Sequence, residues 1–188
     1  MNIAIFASGS GTNAENIINY FETSDDNCVN LVISNNKNSF VLERVSRLGV
    51  NNMYLSNDVL SSEEVLLNIL DQNKIDFIVL AGYLKLIPVF LIEAYPSKIV
   101  NIHPALLPKY GGKGMYGMKV HKAVVDNNEK ETGITIHYVN QNYDEGNVIS
   151  QFKCPVDVDD TYEDVAAKIH ILEMNNFPTV IEQILKEQ

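Results

Sequence analysis

Short apolar runs alternate along the chain with longer segments whose apolar positions recur every three to four residues. Runs of the first kind are typical of buried strands, and segments of the second kind are typical of helices that cover a sheet. The predicted strands are residues 3–7, 29–33, 52–55, 76–81, 99–102, 132–139 and 148–154. The predicted helices start near residues 14, 39, 61, 88, 116 and 161, and Pro178 is a candidate break in the last one.

This alternation predicts the α/β class, with a Rossmann-like, mostly parallel central sheet flanked by helices. The last two predicted strands are joined by a polar loop, so we expect them to form an antiparallel hairpin near the C-terminus. The 188 residues fit one domain of usual size. The sequence therefore predicts a single domain over residues 1–188.

Composition excludes some classes of protein. The chain has 14 Lys or Arg and 24 Asp or Glu, a formal charge of −10, which argues against a nucleic-acid partner. No apolar run reaches the roughly 18 residues of a membrane span, and no basic leader precedes the first strand, so we expect no membrane contact and a cytoplasmic location. Cys28 and Cys154 have no metal-ligand spacing, and we expect two buried thiols.

The first predicted strand ends in a glycine-rich segment, Ser8–Asn13, called the glycine loop below. Glycines let the backbone approach a ligand, and the N–H groups at the start of the following helix favour an anion such as a phosphate. The loop lacks the lysine of a P-loop, and Ser34 to Asn36 offer no acid for a dinucleotide ribose. The alternative is a tight turn capped by Thr12 or Asn13.

A second group of polar residues follows the fifth strand. Strand alternation places Asn101 and His103 on the same side, where an amide can hold an oxyanion and an imidazole can donate a proton. Asp144 lies in the polar loop of the predicted hairpin, and a carboxylate near His103 is expected to raise its pKa. His137 shares a strand face with Thr135 and could support the site residues from behind, but a structural role is the favoured interpretation. From these residues alone, both acyl transfer and hydrolysis remain open.

Four segments carry a resemblance to a known family: Ser8–Asn13, Leu80–Lys85, Asn101–Pro108 and Gly133–Gly146. In this order they resemble the 10-formyltetrahydrofolate-dependent formyltransferases that act on glycinamide ribonucleotide in purine biosynthesis. The resemblance implies transfer of a formyl group from 10-formyltetrahydrofolate to a primary amine, with no metal. It also implies small-molecule substrates only, and a monomer or weak homodimer.

The same resemblance assigns residues to roles. Asn101, His103 and Asp144 would be catalytic, with Asn101 and a protonated His103 facing the oxyanion. Gly11, Thr12 and Asn13 would hold the phosphate, and Glu173 the amine end of the substrate. The residues implied for folate binding are Leu84, Lys85, Leu86, Ile87, Asn101, Asn140, Gln141, Asn142, Tyr143 and Asp144.

Two departures from the family pattern concern the folate. Ser61–Glu64 stands where members can carry an arginine for the glutamate tail, so either Lys85 meets the tail or the tail is held weakly. Gln141 replaces a residue that is commonly acidic or apolar. Methionyl-tRNA formyltransferase needs a cationic surface for tRNA and formyltetrahydrofolate hydrolase has a regulatory N-terminal extension, and we expect neither here. A nucleotide-sugar formyltransferase remains an alternative, although the glycine loop argues against it. A non-catalytic nucleotide-binding module leaves Asn101, His103 and Asp144 unexplained.

Overall fold

The computed structural model describes residues 1–188, and it confirms the α/β class with a mostly parallel sheet. Seven strands run in the order β3-β2-β1-β4-β5-β6-β7. Strand β1 pairs in parallel with β2 and β4, β2 pairs in parallel with β3, and β6 and β7 are antiparallel. The strands are β1 (Asn2–Ala7), β2 (Cys28–Ser34), β3 (Asn52–Tyr54), β4 (Phe77–Leu80), β5 (Ile99–His103), β6 (Glu131–Tyr138) and β7 (Val148–Pro155).

Seven helices accompany the strands, and six of them match the periodicity in the sequence. The short helix α3 was not predicted, since a single turn has no periodicity to detect. The last helix is continuous through Pro178, which is buried within it, so the candidate break is wrong. The helices are α1 (Thr12–Phe21), α2 (Phe40–Arg47), α3 (Asn57–Leu60), α4 (Glu63–Gln72), α5 (Val89–Ala94), α6 (Met118–Asp126) and α7 (Tyr162–Lys186).

The chain divides into two compact units, Met1–Val100 and Asn101–Gln188. In the first unit, β1 pairs in parallel with β2 on one side and with β4 on the other. All but the first residue of β1 are buried, as expected for a central parallel strand with both faces covered. The parallel arrangement brings the segments that follow β1 and β4 to the same edge, where Ser8 N donates to Gly82 O at 3.0 Å.

In the second unit, β6 and β7 form the predicted antiparallel hairpin, with Gly133 opposite Lys153 and an irregular step after Ile136. The polar face of β6 is buried as deeply as its apolar face. The hydroxyl of Thr135 is satisfied there, since it donates to Ala105 O at 2.7 Å and accepts from Leu107 N at 3.0 Å. These bonds fix the chain just after β5, the strand that ends at His103.

Two further features bear on what the sequence predicted. Cys28 is exposed and Cys154 is partly exposed, and both are free thiols, so the prediction of two buried cysteines is wrong. Each lies near one end of its strand, where cover by other elements is incomplete. No helix combines the length and the apolar character that a membrane crossing requires.

Candidate active site

The glycine loop passes very close to α2. A Cβ atom on Gly11 would lie 2.5 Å from Cγ2 of Val41, and its φ of +78° is a left-handed conformation that favours glycine. Gly11 is itself the N-cap of α1, and no side-chain hydrogen bond caps the helix. The alternative reading, a turn capped by Thr12 or Asn13, is therefore wrong. The N-cap residue itself offers no side-chain acceptor at the start of α1, the position at which helix N–H groups favour an anion.

The predicted folate segment of the first unit lies beside the start of the glycine loop. Leu84 N donates to Oγ of Ser8 at 3.0 Å. Leu84 and Leu86 are 46% and 45% exposed, whereas Ile87 is only 2% exposed and belongs to the core. The side chains of Leu84 and Leu86 are therefore accessible to a flat ring system, whereas the buried side chain of Ile87 is not.

In the second unit, the structure brings Asn101, His103 and Asp144 together. Oδ2 of Asp144 lies 3.4 Å from Nδ1 of His103, and its Oδ1 lies 3.4 Å from Nδ2 of Asn101. These three residues are called the polar cluster below. One carboxylate therefore faces both side chains that strand alternation placed on one side of β5.

His137 is part of the same arrangement, although the sequence suggested a structural role. Its Nδ1 lies 2.8 Å from the carbonyl oxygen of Tyr138, which can only accept, so Nδ1 carries a proton. In the uncharged ring Nε2 is then the acceptor, and it receives Nδ2 of Asn101 at 3.1 Å. Both N–H bonds of the Asn101 amide are thus directed, one to His137 and one to Asp144. His137 was missed because the face that it shares with Thr135 is buried, and the alternation of polar and apolar residues does not reveal that burial.

Backbone geometry holds Asp144 in place. Its φ is +58°, and Gly112 N donates to its Oδ2 at 2.9 Å. A Cβ on Gly146 would lie 1.7 Å from the carbonyl oxygen of Tyr138, so only glycine permits this turn to pack against β6. The predicted turn exists, but its role is to aim the carboxylate inward.

The protonation of the polar cluster differs from the expectation for His103. Burial lowers the pKa of His103 below its usual value, and this outweighs the Asp144 charge and the Tyr110 carbonyl, which both act to raise it. The expected rise in the His103 pKa is therefore wrong. Burial acts to raise the pKa of Asp144, but the neighbouring imidazoles of His137 and His103 and the hydrogen bond from Gly112 N together bring it below its usual value.

Nε2 of His103 is occupied in this structure. It lies 2.7 Å from the carbonyl oxygen of Tyr110, a residue with a φ of +58°. Since a carbonyl oxygen only accepts, Nε2 carries a proton there. The proton on His103 that a developing oxyanion could use is thus shared with the main chain of the loop that follows β5.

The predicted residues 140–143 and 173 belong to the second unit. Gln141 and Asn142 are exposed, Asn140 and Tyr143 are half-buried, and Asn142 N donates to Oδ1 of Asn140 at 3.0 Å. Glu173 is largely buried on α7, with Oε2 3.9 Å from Nδ1 of His170. The bond between Asn142 and Asn140, and a second one from Nδ2 of Asn142 to Oε2 of Glu145 at 2.8 Å, hold the loop in its own conformation, with Gln141 and Asn142 exposed at its outer face.

The chain belongs to the formyl transferase family, whose sequence model matches residues 1–181. This is the class that the α/β sheet, the glycine loop and the polar cluster indicated. Among its relatives, "Phosphoribosylglycinamide formyltransferase" of Escherichia coli (strain K12) is 33% identical over 96% of this chain and 85% of the relative. The crystal structure of phosphoribosylglycinamide formyltransferase from Bacillus halodurans superimposes with a TM-score of 0.88 at 36% identity, covering 98% of this chain and 95% of that one.

Plant relatives are longer. "Phosphoribosylglycinamide formyltransferase, chloroplastic" of Arabidopsis thaliana is 39% identical over 99% of this chain, which spans 66% of that relative. The chain spans 39% of the chloroplastic relative from Vigna unguiculata, which is 47% identical over 65% of this chain. The similarity thus covers 99% of this chain for the Arabidopsis relative and 65% of it for the Vigna relative, and only part of either plant protein.

Proposed function

We propose that this protein transfers the formyl group of 10-formyltetrahydrofolate to the primary amine of N1-(5-phospho-D-ribosyl)glycinamide, a reaction of de novo purine (IMP) synthesis. The observation that carries the proposal is the Asp144 carboxylate, which faces both Nδ1 of His103 and the amide of Asn101. The names of the relatives supply the acceptor and the transferred formyl group, and the sequence resemblance supplies 10-formyltetrahydrofolate as the donor. A non-catalytic nucleotide-binding module has no use for this polar cluster.

The reaction requires the two substrates to be aligned and the developing charge to be stabilised, and it needs no nucleophile from the protein. The neutral amine attacks the formyl carbon, a C–N bond forms, and the carbonyl electron pair moves to oxygen. The amine nitrogen then loses a proton, the bond from the formyl carbon to N10 of the folate breaks, and N10 gains a proton. The main tasks of the enzyme are to hold two ligands together and to stabilise the tetrahedral oxyanion.

The polar cluster supplies the groups for these tasks. His103 donates from Nε2 to the oxyanion, which requires that Nε2 exchange the Tyr110 carbonyl for the reacting oxygen. Asn101 donates from its amide, and its 3.4 Å contact with Asp144 is the longer of its two bonds and the easier one to give up. Asp144 stabilises the charged form of His103 as negative charge develops nearby, and it takes part in proton movement.

The other implied residues have separate roles. Gly11, Thr12 and Asn13 hold the phosphate through backbone N–H groups, and Glu173 holds the amine end. The exposed side chains of Leu84 and Leu86 fit the flat ring of the folate, and the donors and acceptors of residues 140–144 fit its polar edge. We include no metal, no further partner, a monomeric or weakly dimeric state and a cytoplasmic location in the proposal.

The test is a spectrophotometric assay of tetrahydrofolate product formation with N1-(5-phospho-D-ribosyl)glycinamide as acceptor. We expect product only when the acceptor is present, and we expect ribosylglycinamide without its phosphate to be a poor acceptor. If the folate loses its formyl group as fast without the acceptor as with it, the protein is a hydrolase and the proposal is refuted. No turnover under either condition, with both ligands bound, would refute catalysis.

A further inference from the structure

Helix α2 holds two consecutive carbonyl groups of the glycine loop. Val41 N donates to the carbonyl oxygen of Gly9 at 3.1 Å, and Nε of Arg44 donates to the carbonyl oxygen of Ser10 at 2.9 Å. The first bond comes from the backbone and survives any side-chain change. The second depends entirely on one side chain, and Arg44 was not among the residues that the sequence suggested.

The orientation of these carbonyls fixes the N–H groups of the loop. In a planar trans peptide the C=O and the following N–H point in opposite directions. Because the carbonyls of Gly9 and Ser10 point at α2, the N–H groups of Ser10 and Gly11 point to the side opposite α2. A loop intended to bind phosphate through its backbone needs this orientation before the ligand arrives.

The guanidinium of Arg44 is itself held on several sides. It forms an ion pair with Glu15 of α1 and lies over the ring of Phe40, with 5.1 Å from Cζ to the ring centroid. Its side chain is 22% exposed. The planar guanidinium group therefore connects α1, α2 and the loop. A lysine cannot reproduce these contacts with its single ammonium group.

We propose that Arg44 is a positioning residue for phosphate recognition: by holding the Ser10 carbonyl, it directs the Gly11 N–H toward the phosphate of the substrate. This inference rests on the proposed function, which places that phosphate at the glycine loop. Its role is to orient the backbone and not to contact the phosphate. The orientation is equally useful in the ground state and in the transition state, so its loss changes KM rather than kcat.

The kinetic test compares Arg44→Met and Arg44→Lys with Arg47→Met. Arg47 lies on the same helix, contacts the same Phe40 ring at 5.9 Å and pairs with Glu43, but makes no bond to the loop. For the phosphorylated amine, we expect KM to rise about tenfold in both Arg44 variants, with kcat within about twofold of the unchanged protein. Arg47→Met is expected to match the unchanged protein. Full retention of KM in Arg44→Lys would overturn positioning, because that variant keeps the charge and loses the planar guanidinium group.

A binding measurement separates this inference from the proposed function. Ribose 5-phosphate and ribose are titrated separately while the amide resonance of Gly11 is followed by ¹H–¹⁵N NMR. We expect the resonance to shift with ribose 5-phosphate only, and to need about tenfold more of it in Arg44→Met. An unchanged titration in Arg44→Met would overturn the role of Arg44 alone. No shift in the unchanged protein would overturn the phosphate assignment, and with it the role of Arg44.

The variants also need a stability control, because Arg44 joins two helices. Glu15→Gln removes the ion pair but leaves the bond from Arg44 to Ser10. We expect this variant to lose a similar amount of thermal stability to Arg44→Lys while its KM stays within about threefold of the unchanged protein. A rise in KM equal to that of Arg44→Met would assign the effect to helix packing and contradict the inference.

Discussion

In the proposed function, the glycine loop and the polar cluster handle charge by opposite means. The glycine loop uses backbone N–H groups, and its specificity lies in how α2 and a left-handed Gly11 arrange the main chain. The polar cluster uses side chains whose protonation depends on burial and on one another. The loop is therefore sensitive to added atoms, and the polar cluster is sensitive to the loss of a single charge or proton.

Asp144→Asn tests the polar cluster most severely. The amide has one acceptor oxygen, whereas the carboxylate has one for Asn101 and one for Gly112, and the charge that favours protonated His103 is lost. We expect kcat to fall by about 10³-fold or more, with the fold retained. The measurement is the formyl-transfer assay together with circular dichroism, and Asp58→Asn, at an exposed position of α3, is the control. Near-normal turnover by Asp144→Asn would contradict the role of the polar cluster.

Gly11→Ala tests the glycine loop in the same way. The added Cβ meets Val41 and the φ of +78° disfavours alanine, so the loop has to move. We expect KM for the phosphorylated amine to rise on the order of 10- to 100-fold, because one or two bonds to a charged group are lost. Gly49→Ala is the matched control, since Gly49 has a similar φ of +72° and open space around it. Equal KM changes in the two variants would mean that the close approach to α2 does not matter.

The two regions also differ in how far the sequence predicted them. The order of apolar runs was sufficient for the α/β class, and the alternation along β5 correctly placed Asn101 and His103 on one side. Protonation was not predictable, because it depends on how deeply His103 is buried once the loop after β5 and the hairpin loop pack against it. Arg44 was missed because its partner is a backbone carbonyl 34 residues earlier in the chain, which no side-chain pattern records.

Thr135→Val probes the support of the polar cluster without touching its members. The hydroxyl bonds Ala105 O, Leu107 N and Nε2 of Gln151. Valine fills the same space but leaves these buried groups without a partner, so we expect unfolding to be easier by about 2 kcal/mol. Urea denaturation measures the change, and Thr135→Ser, which keeps the hydroxyl, is expected to recover most of it. If valine is neutral, these bonds do not hold the segment after β5.

The smallest expected effect is a pH dependence of stability that belongs to the second unit. The pKa of His103 is lowered by burial, and so is that of His121, which is buried on α6 with Nδ1 unbonded. In the unfolded chain both regain an ordinary pKa of about 6.5, so below that pH the unfolded state binds more protons. Stability is therefore full above about pH 6.5 and falls as the pH drops toward the lowered pKa values. The slope is at most about 1.4 kcal/mol per pH unit for each histidine.

His121→Leu separates the two contributions to this slope. Leucine removes one buried titrating group and its repulsion toward His103, so the loss of stability between pH 7.5 and 5.5 is expected to be about half as large. His170→Gln, at an exposed position on α7, is expected to keep the full dependence. Urea midpoints at three pH values decide the matter. An unchanged slope in His121→Leu would show that His121 does not contribute, and would leave the acid sensitivity of the second unit to His103.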